Sequence, residues 1–134
     1  MSCDTLLKGV VYMKLTKHIY TIDEIMDKVN PILTRYDIQK VYVFGSYARG
    51  EATYSSDIDF YLEKYQYHKR LNIANLFADF EECFLKHVDI ITDKDIEHND
   101  CYYVRELYKN IVSEGVLVYE KKQQSSAVQN IELL

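Results

Sequence analysis

Two aspartates one residue apart, Asp57 and Asp59, follow a Gly45-Ser46 pair after ten residues, inside the segment Val43 to Phe60, VFGSYARGEATYSSDIDF. In a strand, residues two apart project from the same face. The alternating run Asp57 to Glu63 (DIDFYLE) would therefore send both carboxylates one way, and Ile58 and Phe60 the other way into a core. Two like charges side by side repel unless a cation sits between them. Hard carboxylate oxygens suit Mg²⁺, which completes its shell with waters and substrate phosphates. An isolated pair of this kind is more often a solvated strand face.

This pair has company. Gly45-Ser46 ends a buried run, where the chain turns and backbone N–H groups can face an anion. Glycine permits unusual backbone angles and the close approach of a phosphate, and a serine hydroxyl can donate to one. Arg49 and Gly50 follow, a cation and a second flexible point, although Arg49 serves equally well as a plain surface arginine. Two metal ions sharing two aspartates lack ligands, and an attacking hydroxyl lacks a base, so a third carboxylate is wanted. Asp89 is the candidate, because it sits in the apolar run VDII, where a charge needs a reason to be. About thirty residues separate it from Asp59, room for the helical crossover that a parallel neighbouring strand requires. Asp93 and Asp95 compete for the role but fall beyond the apolar run and read as capping or loop residues.

Elements that could position these groups alternate along the chain. Thr21 and Glu24 form a capping box, followed by apolar residues at helical spacing from Ile22 to Tyr36, with Pro31 expected to kink the helix or restart it at Asn30. Lys40 to Phe44 (KVYVF) reads as a buried strand, and Tyr47 to Ser56 as loop with one helical turn at most. Ile73 to Phe84 marks a second helix, His87 to Thr92 a strand, and Val104 to Ile111 a third helix stopped by Gly115. Val116 to Tyr119 reads as a last strand. Strands alternating with helices predict an α/β fold, a small mixed β-sheet with helices packed against it.

The length of 134 residues fits one domain with its own core, expected over about residues 20–120, with a loose N-terminal segment and a polar tail from Lys121 to Asn130. The net charge of −5 disfavours broad nucleic-acid binding. No apolar run is long enough to span a membrane. Cys3, Cys83 and Cys101 match neither a disulfide framework nor a zinc pattern, which points to a reducing cytoplasm, with Cys83 and Cys101 expected as buried small hydrophobes. The thirteen tyrosines read mostly as core-edge residues, the cluster His68-Lys69-Arg70 as a solvated helix end, and His18, His87 and His98 show no ligand spacing. There is no Walker A string and no GxGxxG.

The string GSYARGEATYSSDIDF, with a preceding helix, a strand ending in Gly-Ser and a later strand bearing an aspartate, resembles the DNA polymerase β-like nucleotidyltransferases. Within that superfamily it is most similar to the minimal nucleotidyltransferases (MNT) of prokaryotes, over roughly Ile22 to Tyr119. The resemblance implies a polymerase β palm-like fold. It implies that Asp57 and Asp59 hold two Mg²⁺ ions on ATP, that Asp89 completes the metal site and helps deprotonate the acceptor, and that Gly45 and Ser46 grip the β- and γ-phosphates. Arg49 and Ser56 join them in the nucleotide-binding set. The acceptor hydroxyl would attack the α-phosphorus and expel pyrophosphate. MNT proteins commonly pair with HEPN-domain toxins as antitoxins, moving AMP onto a tyrosine of the HEPN ribonuclease, which implies a hetero-oligomer with that toxin. Two alternatives stay open: an antitoxin that works by contact alone, and a small-molecule nucleotidyltransferase. The added helical domain of the aminoglycoside-modifying relatives has no counterpart in the residues left over.

Overall fold

The computed structural model describes residues 16–63, 73–98 and 101–121. The expectations for Cys3, Tyr65, Tyr67, His68-Lys69-Arg70 and the chain beyond Lys121 lie outside those residues. Helix α1 (Ile22–Leu33) opens on the capping box: the Thr21 hydroxyl accepts the Glu24 N–H at 3.1 Å, and the Glu24 carboxylate accepts the Thr21 N–H at 2.8 Å. Such a cap stabilises a helix by about 1 kcal/mol. The helix does not restart at Asn30. Pro31 lies within it, on the exposed side and near its end, where the ring displaces nothing in the core and only one backbone bond is forgone. It stops at Leu33, yet Tyr36 is still buried and donates its hydroxyl to Asp79 at 2.8 Å.

Strand β1 (Lys40–Phe44) leads into a one-turn helix α2 (Ser46–Arg49), then β2 (Ile58–Glu63), α3 (Ile73–Phe84), β3 (Val88–Thr92), a short α4 (Asp93–Glu97), α5 (Tyr102–Glu114) and β4 (Val116–Glu120). The sheet runs β3-β2-β1-β4. β1 is antiparallel to β2 and β4, while β2 and β3 are parallel neighbours, joined through α3 as a crossover must be. The mixed sheet and its packed helices are those expected from the alternation of patterns.

The pleat divides the side chains between two faces. Ile58, Phe60 and Leu62 of β2 join Val41, Val43, Val88 and Ile90 under α1 and α3, with Ile25, Val29, Leu33, Leu76, Phe80 and Phe84. Phe60 and Phe80 rings meet at 4.6 Å between centroids. The alternate residues of β2 and β3 face the other way, where Phe44, Tyr61 and Ile111 form a smaller cluster with Leu107 of α5. Asp59 and Asp89 belong to this second face, at the end that the smaller cluster leaves open. Among the described residues no helix is long and apolar enough to cross a membrane. Cys101 is exposed at the head of α5 and Cys83 half-buried, so neither is the fully buried hydrophobe expected. Lys121 is tied by its ammonium to Asp37 at 2.8 Å and by its N–H to the Gln39 carbonyl, so any loose tail starts after it.

Candidate active site

The site begins where β1 ends. Gly45 has φ 77 and ψ −152, a left-handed region that side chains avoid. A Cβ on Gly45 would overlap the Asp59 carboxylate. Glycine is thus required twice, by the backbone angle and by the neighbour. The following turn, α2, is anchored by buried Tyr47 and closed by Gly50 in the left-handed conformation, whose N–H returns to the Ser46 carbonyl. Ser46 and Arg49 are left on the outer side of the turn, half-buried and exposed respectively.

The carboxylates arrive on two strands. Asp59 and Asp89 are direct partners in the parallel register of β2 and β3, which puts them side by side on one face. Asp57 lies one residue before β2 begins, exposed, so its orientation is set by the preceding loop and not by the pleat. That loop is braced internally: the Ser56 hydroxyl accepts the Thr53 N–H at 2.8 Å, and the Ser56 N–H donates back to the Thr53 carbonyl at 3.1 Å. Lys86, only 3% exposed, donates its ammonium to the Tyr54 carbonyl at 2.9 Å. Burial pushes the Lys86 pKa down while nearby Asp57 favours its charge. The chain reaches this position through Leu85, a non-glycine residue at φ 54.

Electrostatics single out Asp59. Burial, then the Asp89 charge and hydrogen bond, then the Asp57 charge raise its pKa from 3.8 to about 7, with Arg49 opposing them. A carboxylate held protonated by burial and by two neighbouring acids is one that a bound cation would return to its charged form. The donor set of three carboxylates is chemically suited to a hard divalent ion, and Mg²⁺ takes only one or two carboxylates plus waters and substrate oxygens. Among the described residues, no three His, Cys, Asp or Glu side chains are already gathered as a metal cage. The residues therefore fit Mg²⁺ by chemistry and charge, with the remaining ligands to come from water and substrate.

A cleft of about 400 Å³ opens over these groups, lined by Gly45, Ser46, Arg49, Ser56, Asp57 and Asp59 on one side and by Leu107, Asn110 and Glu114 of α5 on the other. That volume lies in the range of small-molecule sites. Six of the seven residues singled out from the sequence line it, and Asp89 adjoins it through Asp59. Arg49 is not solitary: its Nε donates to Glu51 at 2.8 Å and its Nη1 to Glu114 at 3.1 Å, which holds its pKa up. Glu114 also accepts the Gly45 N–H at 2.8 Å.

Sequence reasoning missed Glu114 and Lys86. Glu114 had one signal, an acid in the last turn of a helix, where the macrodipole disfavours it. Lys86 had none, since its burial depends on the left-handed turn at Leu85.

The model of the polymerase beta nucleotidyltransferase family matches residues 27–124, a span that includes every candidate residue above. The Methanocaldococcus jannaschii protein named "Putative protein adenylyltransferase MJ0435" is 38% identical over 71 residues, which is 53% of this chain and 76% of that one. "Putative protein adenylyltransferase MJ1379" of the same organism is 38% identical over 86 residues, 62% of this chain and 85% of that one. Among solved structures, a chain in a crystal structure of a toxin–antitoxin with AMP-PNP superposes with TM-score 0.56 at 20% identity, covering 81% of this chain and 85% of that chain. A chain of a mutant MntA-HpeT toxin–antitoxin gives 0.54 at 18% identity, covering 81% and 84%. At such identities the structural likeness is one of fold. Sequence match, strand order and the Gly-Ser turn facing paired aspartates agree, and this chain belongs to the polymerase β nucleotidyltransferase family.

Proposed function

We propose that this protein is an antitoxin that transfers AMP from ATP to a tyrosine hydroxyl of a cognate HEPN ribonuclease toxin, releasing pyrophosphate and silencing the toxin. The observation that carries the reading is the register Asp59–Asp89 with Asp57 beside it, set against the Gly45 turn. The relatives named protein adenylyltransferases, of whose length this chain spans 76% and 85%, support a protein acceptor. The toxin–antitoxin neighbours, one of them with AMP-PNP, support the pairing and the nucleotide.

In this mechanism Asp57, Asp59 and Asp89 would hold Mg²⁺, which when bound supplies charge neutralisation for the triphosphate and the departing pyrophosphate. The Gly45 N–H, the Ser46 hydroxyl and Arg49 hold the β- and γ-phosphates and leave the α-phosphorus facing Asp89. Ser56 acts through the loop it braces, by keeping Asp57 at the cleft. The tyrosine oxygen forms a bond to the α-phosphorus while the bond to the β-phosphate oxygen breaks. The phenolic proton passes to Asp89 and on to solvent. Positioning and charge stabilisation do most of such work, which suits a site with few other reactive groups.

The test is to incubate the protein with ATP, Mg²⁺ and the HEPN protein encoded beside it, then weigh the partner. AMP-sized mass gains that vanish with Asp57→Asn/Asp59→Asn are expected; an unmodified partner refutes the proposal. A contact-only antitoxin draws support from the exposed Tyr102, Tyr103 and Val112 on α5, at 69%, 73% and 67% exposure. Full neutralisation by the double mutant would favour that reading.

A further inference from the structure

Glu114 stands out among residues the sequence did not suggest. It ends α5, where a negative charge opposes the helix macrodipole, and its side chain is only 20% exposed. Something must compensate for that placement. Its Oε2 accepts the Gly45 N–H at 2.8 Å and Arg49 Nη1 at 3.1 Å, and its Oε1 accepts the same Nη1 at 3.2 Å. These are charge-assisted bonds, the stronger kind.

The position of the carboxylate is held by the backbone behind it. Gly115 donates its N–H to the Ile111 carbonyl at 2.9 Å, and a Cβ on Gly115 would press on that same carbonyl. α5 thus ends at a fixed point beside β1, with Glu114 aimed across the cleft at the Gly45 turn. The two donors it engages are a turn N–H and a guanidinium, the groups suited to a phosphate oxygen.

We infer that Glu114 is a built-in occupant of the phosphate cradle, an anion of the chain's own that a nucleoside triphosphate must displace in order to bind. This deepens the proposed function and rests on it, since it concerns the regulation of the same site. A carboxylate carries one charge, whereas a triphosphate brings several and a wider span of acceptor oxygens. The device therefore discriminates against singly charged anions, and it holds Arg49 and the Gly45 turn in place until substrate arrives.

The experiment is calorimetric titration of ATP with Mg²⁺ into the wild type and Glu114→Gln, which keeps the size of the side chain and removes its charge. Glu114→Gln should bind ATP at least about tenfold more tightly, equivalent to about 1.4 kcal/mol, with a lowered KM and a kcat changed much less. Glu114→Asp, which keeps the charge but shortens the reach, should fall between them and also serves if the glutamine variant folds poorly. Equal or weaker binding by both variants overturns the inference and makes Glu114 a plain brace for Arg49. Absence of ATP binding by wild type and variants alike overturns the nucleotidyltransferase reading itself, a result that the partner-mass assay would repeat independently.

Discussion

Replacing Asp59 by asparagine should make the metal-free protein more stable in mildly alkaline solution while destroying its activity. The folded-state pKa of Asp59 is raised from 3.8 to about 7 by burial and by the Asp89 and Asp57 charges. Raised means that folding favours the protonated form. Below about pH 3 the carboxyl is neutral in both states and costs nothing. As pH rises from 4 to 7 the unfolded chain loses this proton and the folded chain keeps it, so stability falls across that window and stays at its lower level above it. A displacement from 3.8 to about 7 has a ceiling of about 4 kcal/mol. Because Asp59 is only half-buried, solvent screening reduces this to about 2 kcal/mol.

The amide that Asp59→Asn introduces cannot ionise, so the variant should match wild type at pH 3 to within a few tenths of a kcal/mol and exceed it by about 2 kcal/mol at pH 8. For a chain of this length that gain is about 7 °C in Tm. Thermal melts in a chelator at the two pH values read it directly. Added Mg²⁺ should reverse the order, because only the wild type gains binding energy, about 2.7 kcal/mol at a hundredfold excess over Kd. A difference between variant and wild type that does not change with pH would refute the electrostatic account of the site. A gain at pH 8 that Mg²⁺ leaves untouched would refute the metal assignment.

Three further outcomes are expected. Gly45→Ala should lose about 1–3 kcal/mol of stability from its left-handed φ and the clash with Asp59, and should lose activity beyond what melting explains; full activity in the folded fraction would contradict the role of the turn. Lys86→Met removes the donor from the Tyr54 carbonyl and should cost about 1–3 kcal/mol, with hydrogen exchange quickened at residues 54–57 and KM for ATP raised; unchanged exchange there would show that the loop does not depend on Lys86. Phe80→Ala, at a fully buried position against Phe60, should cost about 3–5 kcal/mol in denaturant melts, and a loss under about 1 kcal/mol would contradict the core assignment.

Amino-acid order alone was enough for the elements and for naming the residues that the fold gathers at the cleft. Periodicity located α1, α3 and α5 to within a few residues, because each buries one apolar stripe, and the Thr21 capping box marked a helix start by local hydrogen bonding alone. The expectation of a restart at Asn30 failed because a ring on the solvent side, near a helix end, disturbs no packing. The Gly45-Ser46 turn and the aspartates stood out in the sequence because the proposed phosphate and metal roles call for particular groups at short spacing. What depended on tertiary structure was long-range: Asp89 meets Asp59 only through the parallel register of β2 and β3, and Asp57 is aimed by a loop whose Tyr54 carbonyl is pinned by Lys86 from 32 residues away in sequence. Glu114 reaches Gly45 across 69 residues. Such contacts follow from how whole elements pack, and a helix acid reveals its partner only once its helix is laid across the sheet.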